Sequence, residues 1–569
     1  MIRLNRLYSS PKIFREITFT SGVNLILGEP SENNAKTNGV GKSVAVEFLN
    51  FGLLSKFSTS RVRKIPEDVF PDEVEVCVDL TVNSKNLTIC RSRGSENAPK
   101  IIVDGETHIF NKLEDAIQFL SALAFSNTAD EHPSFRSMLG IFIRDERSEF
   151  KSIISGFDTR IRAADDYGPH LYLLHIDVGI YKKIKDLLNE IKNLQSKSKE
   201  FVKSVELLRN KSIDEARADL NELDAEVSLI REDIEGLENS STYEALEAEM
   251  QSLEDRISEA RQKSAVALEK LSRLEPVGIE KVDISVDELA EYYNDLKSGL
   301  GDLVSRDFEE LLSFKRKIHQ FQGDVLRRRR SQIEQQLDAT KKELRVLDKE
   351  YKRKLRLLDQ EGALRVLRQT FATFQDKSDQ LSDLRSFISG HDDAVAERRE
   401  RTLEKDIELQ RLQSEIDHAQ AVRKSFEMTI LEIHNEVMRN RQASFVLETV
   451  NKANVVDLVL RIDSDGSHSV EREKTFIYDF SLLTNEYTSQ RHFGFLVHDN
   501  IFEVDSDTLN RSLNFIANEA SKLSGQYILT LNSDRASADA ADAMKELSSC
   551  VRASFTKDNR FLGRRYQEK

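Results

Sequence analysis

The sequence predicts an α/β head assembled from its N- and C-terminal segments, together with a long antiparallel α-helical coiled-coil hairpin. Three observations point there. Short apolar runs alternate with amphipathic helices at both ends, heptad seams occupy the middle, and a glycine loop joins a strand to a helix near the front. At 569 residues the chain exceeds what one compact core usually holds, so several structural units are expected.

In the first head segment, Phe14 to Thr18 and Val23 to Leu27 are short apolar runs, and the second leads into a loop and then a helix from about Lys42 to Leu54. Val74 to Val82 and Leu87 to Arg91 alternate as half-buried strands do, with helical segments near 111–124 and 134–145. From about Tyr181 the charges become dense and Gly and Pro nearly vanish. Ile213, Ala216, Leu220, Leu223, Val227, Ile230, Ile234 and Leu237 fall at alternating steps of three and four, the period of a left-handed coiled coil. A second seam runs through Ile333, Leu337, Leu344, Leu347, Tyr351 and Leu358.

Pro276 and Gly278 stop the first seam, which places a hairpin tip at 276–325 between arms at 176–275 and 326–440. A kink is expected at Ser389-Gly390-His391-Asp392. After about 445, strands return at Val455 to Ile462, Phe493 to Val497 and Gln526 to Leu531, beside helices near 473–484 and 507–523. The head halves are therefore 1–175 and 441–569. A homodimeric rod would satisfy the seams alone. The α/β segments at both ends favour an intramolecular hairpin, which returns the second half to the first so that both complete one sheet.

Composition narrows the class. Charged residues make up 32 % of the chain, with 22 Gly, 8 Pro and no Trp, a balance that suits long solvated helices. Thirty Phe residues argue against disorder. The net charge of −15 excludes a polycation, so any nucleic-acid contact needs a local basic surface. Cys77, Cys90 and Cys550 have neither metal-ligand spacing nor an even-numbered disulfide framework, and the first two read as small buried strand residues. The N-terminus lacks a signal peptide's apolar run, and no stretch approaches the roughly 20 apolar residues of a membrane span. A cytoplasmic location without membrane contact is expected.

The chemistry begins in VNLILGEPSENNAKTNGVGKS (23–43), a strand, a loop and a helix start. Glycines let backbone N–H groups turn towards phosphate oxygens, and the helix N-terminus adds its dipole. Gly28, Asn38, Gly39 and Gly41 belong to this loop, Lys42 would neutralise the β- and γ-phosphates of ATP, and Ser43 would ligate Mg²⁺. The first position of the strict motif holds Lys36, so 29–37 is read as an insertion after Gly28. A surface Gly-Lys-Ser turn is the alternative. Phe493 to Asp499 is an apolar run ending in a carboxylate, so Asp499 is the second expected Mg²⁺ contact.

Between them lies DGSHSVEREKT (465–475). In ABC ATPases a Ser-Gly-Gly signature starts a helix that grips the γ-phosphate of the opposite subunit. Ser469 and Glu473-Lys474 fit that frame, with Gly466 a further candidate contact just before it, but Glu471 and Arg472 occupy the glycine positions, and a capped helix with no ligand fits equally well. Arg327, Arg328, Arg329 and Arg330 are a candidate DNA contact, with a solvated face paired to arm acids as the alternative.

The opening LYSSPKIFREITFTSGVNLILGE, the block HPSFRSMLGIFIRDERSEF (132–150), the tip segments DELAEYYNDL and FEELLSFKRKIHQ within 287–320, and FLVHDNIFEVD (495–505) resemble the YydD-like bacterial ATPases. That family is SMC-like and belongs to ABC three-component conflict systems. The resemblance implies an ABC-type ATPase head, ATP and Mg²⁺ as cofactors, and a homodimer through ATP-bound heads. It also implies arms engaging double-stranded DNA, a small middle-component protein, and an effector subunit such as a nuclease, in defence against phages or other mobile DNA. The chain departs from the ABC pattern where a catalytic Glu commonly follows the Walker B Asp: here stands Asn500, which orients water but cannot take its proton. Glu503 is the nearest substitute base, Asn532 replaces the usual switch histidine, and no Q-loop glutamine is evident. Slow hydrolysis by a long-lived ATP-bound state is the resulting expectation. A scaffold that binds ATP without turnover and a DNA-repair-type SMC-like protein remain open as alternatives.

Overall fold

A computed structural model describes residues 1–31, 39–126, 131–156, 165–238, 244–274, 304–357, 363–463 and 468–568. Two compact units emerge, 1–192 with 399–569, and 193–398.

The first unit contains an antiparallel sheet of β1 (Ile2–Ser10), β2 (Ile17–Thr18), β4 (Glu75–Val82), β5 (Lys85–Ser92), β6 (Lys100–Val103) and β7 (Glu106–Ile109), in the order β2-β1-β4-β5-β6-β7. Cys77 and Cys90 are buried as expected, but they face each other across β4 and β5 and are joined by a disulfide. The correction has a simple origin: a spacing of 13 residues around a hairpin is no recognisable framework, yet antiparallel register sets the pair directly opposite.

The second sheet is parallel, in the order β13 (Val551–Phe555), β3 (Gly22–Gly28), β12 (Gln526–Asn532), β11 (Phe495–Asp499), β8 (Ile143–Arg144). Every residue of β3 is buried, as a strand covered on both faces requires, and its neighbours on either side come from beyond residue 520. The two ends of the sequence therefore build one sheet. A short ribbon of β9 (Ala443–Thr449) and β10 (Val456–Ile462) completes the strands.

The two-residue β8 is easily missed in the sequence, and buried charge holds it. The Arg144 guanidinium is fully buried, donates to the carbonyls of Ser152, Ser155 and Ile153, and pairs with Asp479 at 2.5 Å. His498 on β11 reaches the same carboxylate at 3.0 Å. A buried charge persists only when paired and hydrogen-bonded in this way.

In the second unit, helices Ile213–Glu238 and Glu244–Leu274 run against Ala363–His418 and Val304–Leu357. Ion pairs Arg217–Asp392, Asp224–Arg385 and Glu226–Lys377 descend on one helix as they climb on the other, which is antiparallel pairing. Leu253, Ile257 and Ala260 pack on Leu347 and Tyr351, and Ala267 packs on Ile333 and Leu337. The fold class is thus the expected one: an α/β head of both termini plus an antiparallel coiled coil.

Two local expectations remain to be set beside the structure. Helix Ala363–His418 runs unbroken through Ser389 to Asp392. Gly390 is there for space, since a Cβ would sit 2.6 Å from the Phe201 ring. Pro276, Gly278 and Leu358 lie outside the described residues, as does the hairpin tip up to 303, and helix Val304–Leu357 runs through position 325. No helix among the described residues is long and apolar enough to cross a membrane.

Candidate functional site

The C-terminal ends of the parallel strands collect the chemistry, where ligands of such sheets generally bind. Gly28 ends β3, and helix Lys42–Gly52 starts after Gly41 at φ 109°, with Gly39 at φ 75°. Asn38 lies outside the described residues. The helix has no side-chain cap and no acid in its first turn, so its first N–H groups and dipole are open to an anion. Lys42 is buried and its Nζ donates to Asn532 Oδ1 at 2.5 Å. Burial lowers the Lys42 pKa, while Asp499, Glu146, Asp534 and Glu503 pull the other way.

Asp499 ends β11 opposite Thr530 of β12, and Asn532 pairs with Gly28. Registers thus carry the carboxylate to the glycine loop. Asp499 Oδ1 accepts from Thr530 Oγ1 at 2.7 Å. Burial raises its pKa to about 6; Thr530 and the Ser43 hydroxyl oppose that shift, and Glu146 adds to it. Oδ2 is buried with no hydrogen-bond partner. A half-satisfied buried carboxylate beside a hydroxyl from the helix start is a donor set suited to a hard divalent cation.

Asn500 follows at φ 62°. Its Nδ2 donates to Glu146 Oε1 at 2.8 Å and to Glu503 Oε1 at 2.7 Å, while its carbonyl accepts from Arg472 Nη1 at 2.8 Å. Arg472 Nη2 also pairs with Glu503 at 3.0 Å. Sequence reading missed Glu146. It sits on a 3-10 turn after β8, held because neighbouring Arg147 pairs with the buried Glu47 of the first helix and with Asp145. The turn leaves through Glu149 and Phe150, both at positive φ. Strained backbone on both sides of these carboxylates is the kind that surrounding structure must enforce.

One cavity of about 400 Å³ runs along Gly39 to Val44 and includes Glu146, Asn500 and Glu503 at its acidic end. That volume is in the range of small-molecule sites. Neither Ser469 nor Lys474 lines it. Both lie on helix His468–Thr484, with Lys474 3.7 Å from Glu471, while Gly466 is outside the described residues. Arg472, in a glycine position of the signature frame, is committed to Asn500 and Glu503 of its own chain.

Glu473 in the same frame is turned into the core. Its Oε1 accepts from Ser512 at 3.0 Å, Oε2 has no partner, and burial raises its pKa to about 8. The unfolded chain releases this proton near the ordinary value of 4.5, whereas the fold keeps it until about 8. The folded state thus binds more protons across that window, and stability falls as pH rises through it, by at most about 1.4 kcal/mol per unit. Glu473→Gln is expected to flatten the melting temperature between pH 5 and 8; curves parallel to wild type would refute this.

Arg328, Arg329 and Arg330 are exposed on helix Val304–Leu357, and Arg330 pairs with Glu334 at 2.8 Å. The side chain of Arg327 lies outside the description. Exposed pairs of this kind are worth only a few tenths of a kcal/mol.

Residues 12–258 match an AAA domain family, and residues 433–566 match a family described as uncharacterised protein conserved in bacteria. The chain carries an AAA-type domain. It is similar to the uncharacterised protein YydD of Bacillus subtilis (strain 168), 26 % identical over 203 residues, which are 34 % of this chain and 33 % of YydD. The similarity therefore spans about a third of that relative's length. Among solved structures, the Smc head domain with a coiled coil and joint from Pyrococcus yayanosii aligns over 95 % of this chain and 94 % of its own, at 13 % identity and TM-score 0.33. The Smc head domain with an extended coiled coil bound to the C-terminal domain of ScpA, from Pyrococcus furiosus, aligns over 95 % and 92 % at 11 % identity and TM-score 0.31. The AAA match takes in the glycine loop and Glu146, and the second family takes in Asp499, Asn500 and Asn532.

Proposed function

We propose that this chain binds ATP at the end of the parallel sheet, hydrolyses it slowly, and uses ATP to bring two copies together. One observation carries the reading: Lys42 and Ser43 from the front of the sequence converge on Asp499 from the back, whose Oδ2 is buried and unpaired. The glycine loop and helix start would wrap the phosphates, with Lys42 neutralising them and Asn532 holding Lys42 in place. Ser43 and Asp499 would hold Mg²⁺, which screens phosphate charge when bound. Asn500 uses its amide hydrogens on Glu146 and Glu503, so it acts as a clamp for carboxylates. Glu503 is half neutralised by Arg472. Glu146 is therefore the better placed base for a water attacking the γ-phosphate.

The wider role rests on the resemblance to YydD-like ATPases: a head dimer whose coiled coils engage DNA, working with a small middle-component protein and an effector in defence against mobile DNA. ATP acts there through its differential affinity for the engaged dimer. Mass photometry with ATP and magnesium, beside phosphate release with and without duplex DNA, tests this. A nucleotide-dependent dimer with turnover below ~10 s⁻¹, the typical enzyme median, is expected. Replacing Arg327 to Arg330 by Ala should weaken DNA binding and shallow its salt dependence by up to about 0.9 log units per lost phosphate contact. A chain that stays monomeric with ATP contradicts the dimer, and unchanged DNA affinity contradicts the arginine assignment.

A further inference from the structure

The cavity does not stop at the glycine loop. It is also lined by Arg61 and by Arg560, Arg564, Tyr566 and Glu568 of the segment 559–568. That segment is built into the site. The Phe561 N–H donates to the Val40 carbonyl at 3.1 Å, and Arg560 donates to the carbonyl of Gly39. The Phe561 ring packs on Phe14, Phe48 and Phe555, with centroids 4.5, 5.6 and 5.4 Å away. A Cβ on Gly41 would lie 2.6 Å from Phe561 Cβ, so the glycine loop is shaped to this segment as much as to phosphate.

We infer that the segment 559–568 forms the nucleoside side of the pocket, with the Tyr566 ring as the stacking platform for the base. This rests on the nucleotide reading above. A triphosphate on the glycine loop would leave Arg61 and the segment 559–568 as the part of the cavity lining available to the nucleoside. The charged groups on that wall hold one another or the protein: Arg61 pairs with Glu568 at 2.5 Å, Arg564 with Asp68 at 3.3 Å, and Arg560 with Gly39. Tyr566, half-buried beside the core, is the ring they frame. Burial raises its pKa to about 12, so it keeps its hydroxyl proton at neutral pH. Stacking on an aromatic ring tolerates any base, so the site takes nucleoside triphosphates without sharp choice among their bases.

Calorimetric titration of the magnesium complexes of ATP and inorganic tripolyphosphate separates this wall from the phosphate site. Wild type is expected to bind ATP more tightly than tripolyphosphate. Tyr566→Ala should cut ATP affinity roughly tenfold to a hundredfold, the scale of one lost base–aromatic stack, while tripolyphosphate binding stays unchanged. Tyr566→Phe should retain the wild-type difference. If Tyr566→Ala keeps the ATP-to-tripolyphosphate ratio, whether both ligands weaken or neither does, the inference is overturned. If wild type binds neither ligand, the phosphate-site reading fails and this one falls with it.

Discussion

Lys42→Ala is expected to weaken ATP binding by at least about a hundredfold. The ammonium is buried within a group of acids, so a phosphate entering there meets Asp499, Glu146 and Glu503 as well as the lysine. Removing one member of a buried, hydrogen-bonded charge pair costs about 2–5 kcal/mol, and each 1.4 kcal/mol is a factor of ten. The upper part of that range applies because the acids remain after the lysine has gone. Titration with a fluorescent ATP analogue measures the loss, and an unaltered circular dichroism spectrum shows that the fold survives. Affinity within threefold of wild type would remove the glycine loop from the nucleotide site.

Glu146→Gln is expected to lower single-turnover phosphate release by about a hundredfold or more while ATP affinity changes little. A positioned general base contributes about 10²–10⁴ to a rate, and glutamine keeps the size of the side chain and can still accept the Asn500 hydrogen bond without taking a proton. Glu503→Gln is the matched control. That carboxylate already shares its charge with Arg472, so its loss should cost only a few-fold. A large loss at Glu503 and none at Glu146 would transfer the role. No loss at either would remove both from the role of base, and wild type that binds ATP without releasing phosphate would favour the scaffold that never cycles.

The head and the coiled coil were legible because each rests on local periodicity: β3 as an apolar run, and the Ile213 to Val227 seam as steps of three and four. Lys42 and Ser43 followed from a loop motif, and Asp499 from an apolar run ending in a carboxylate. Glu146 did not, because its strand has two residues and its partner Asn500 lies 354 positions away. No window along the chain contains both. The reason for Gly390 was hidden in a related way: the Phe201 ring that leaves no room for a Cβ there sits on another helix. Arg472 looked like a defect in a signature and proves to be tied to Asn500. The segment 559–568 carries no recognisable motif, and its contact with Gly39 and Val40 spans more than 500 residues.

The interleaving of β3 between β12 and β13 has a consequence for biosynthesis. The strand is wholly buried and mostly apolar, yet nearly 500 residues separate Gly28 from Gln526. At about 5–20 residues per second on the ribosome, its partners arrive roughly 25–100 s later. Throughout that interval the nascent chain carries a sticky, unpaired strand and a glycine loop without its acid. Until Asp499 and Asn532 have been made, the nucleotide site proposed at the end of β3 is incomplete.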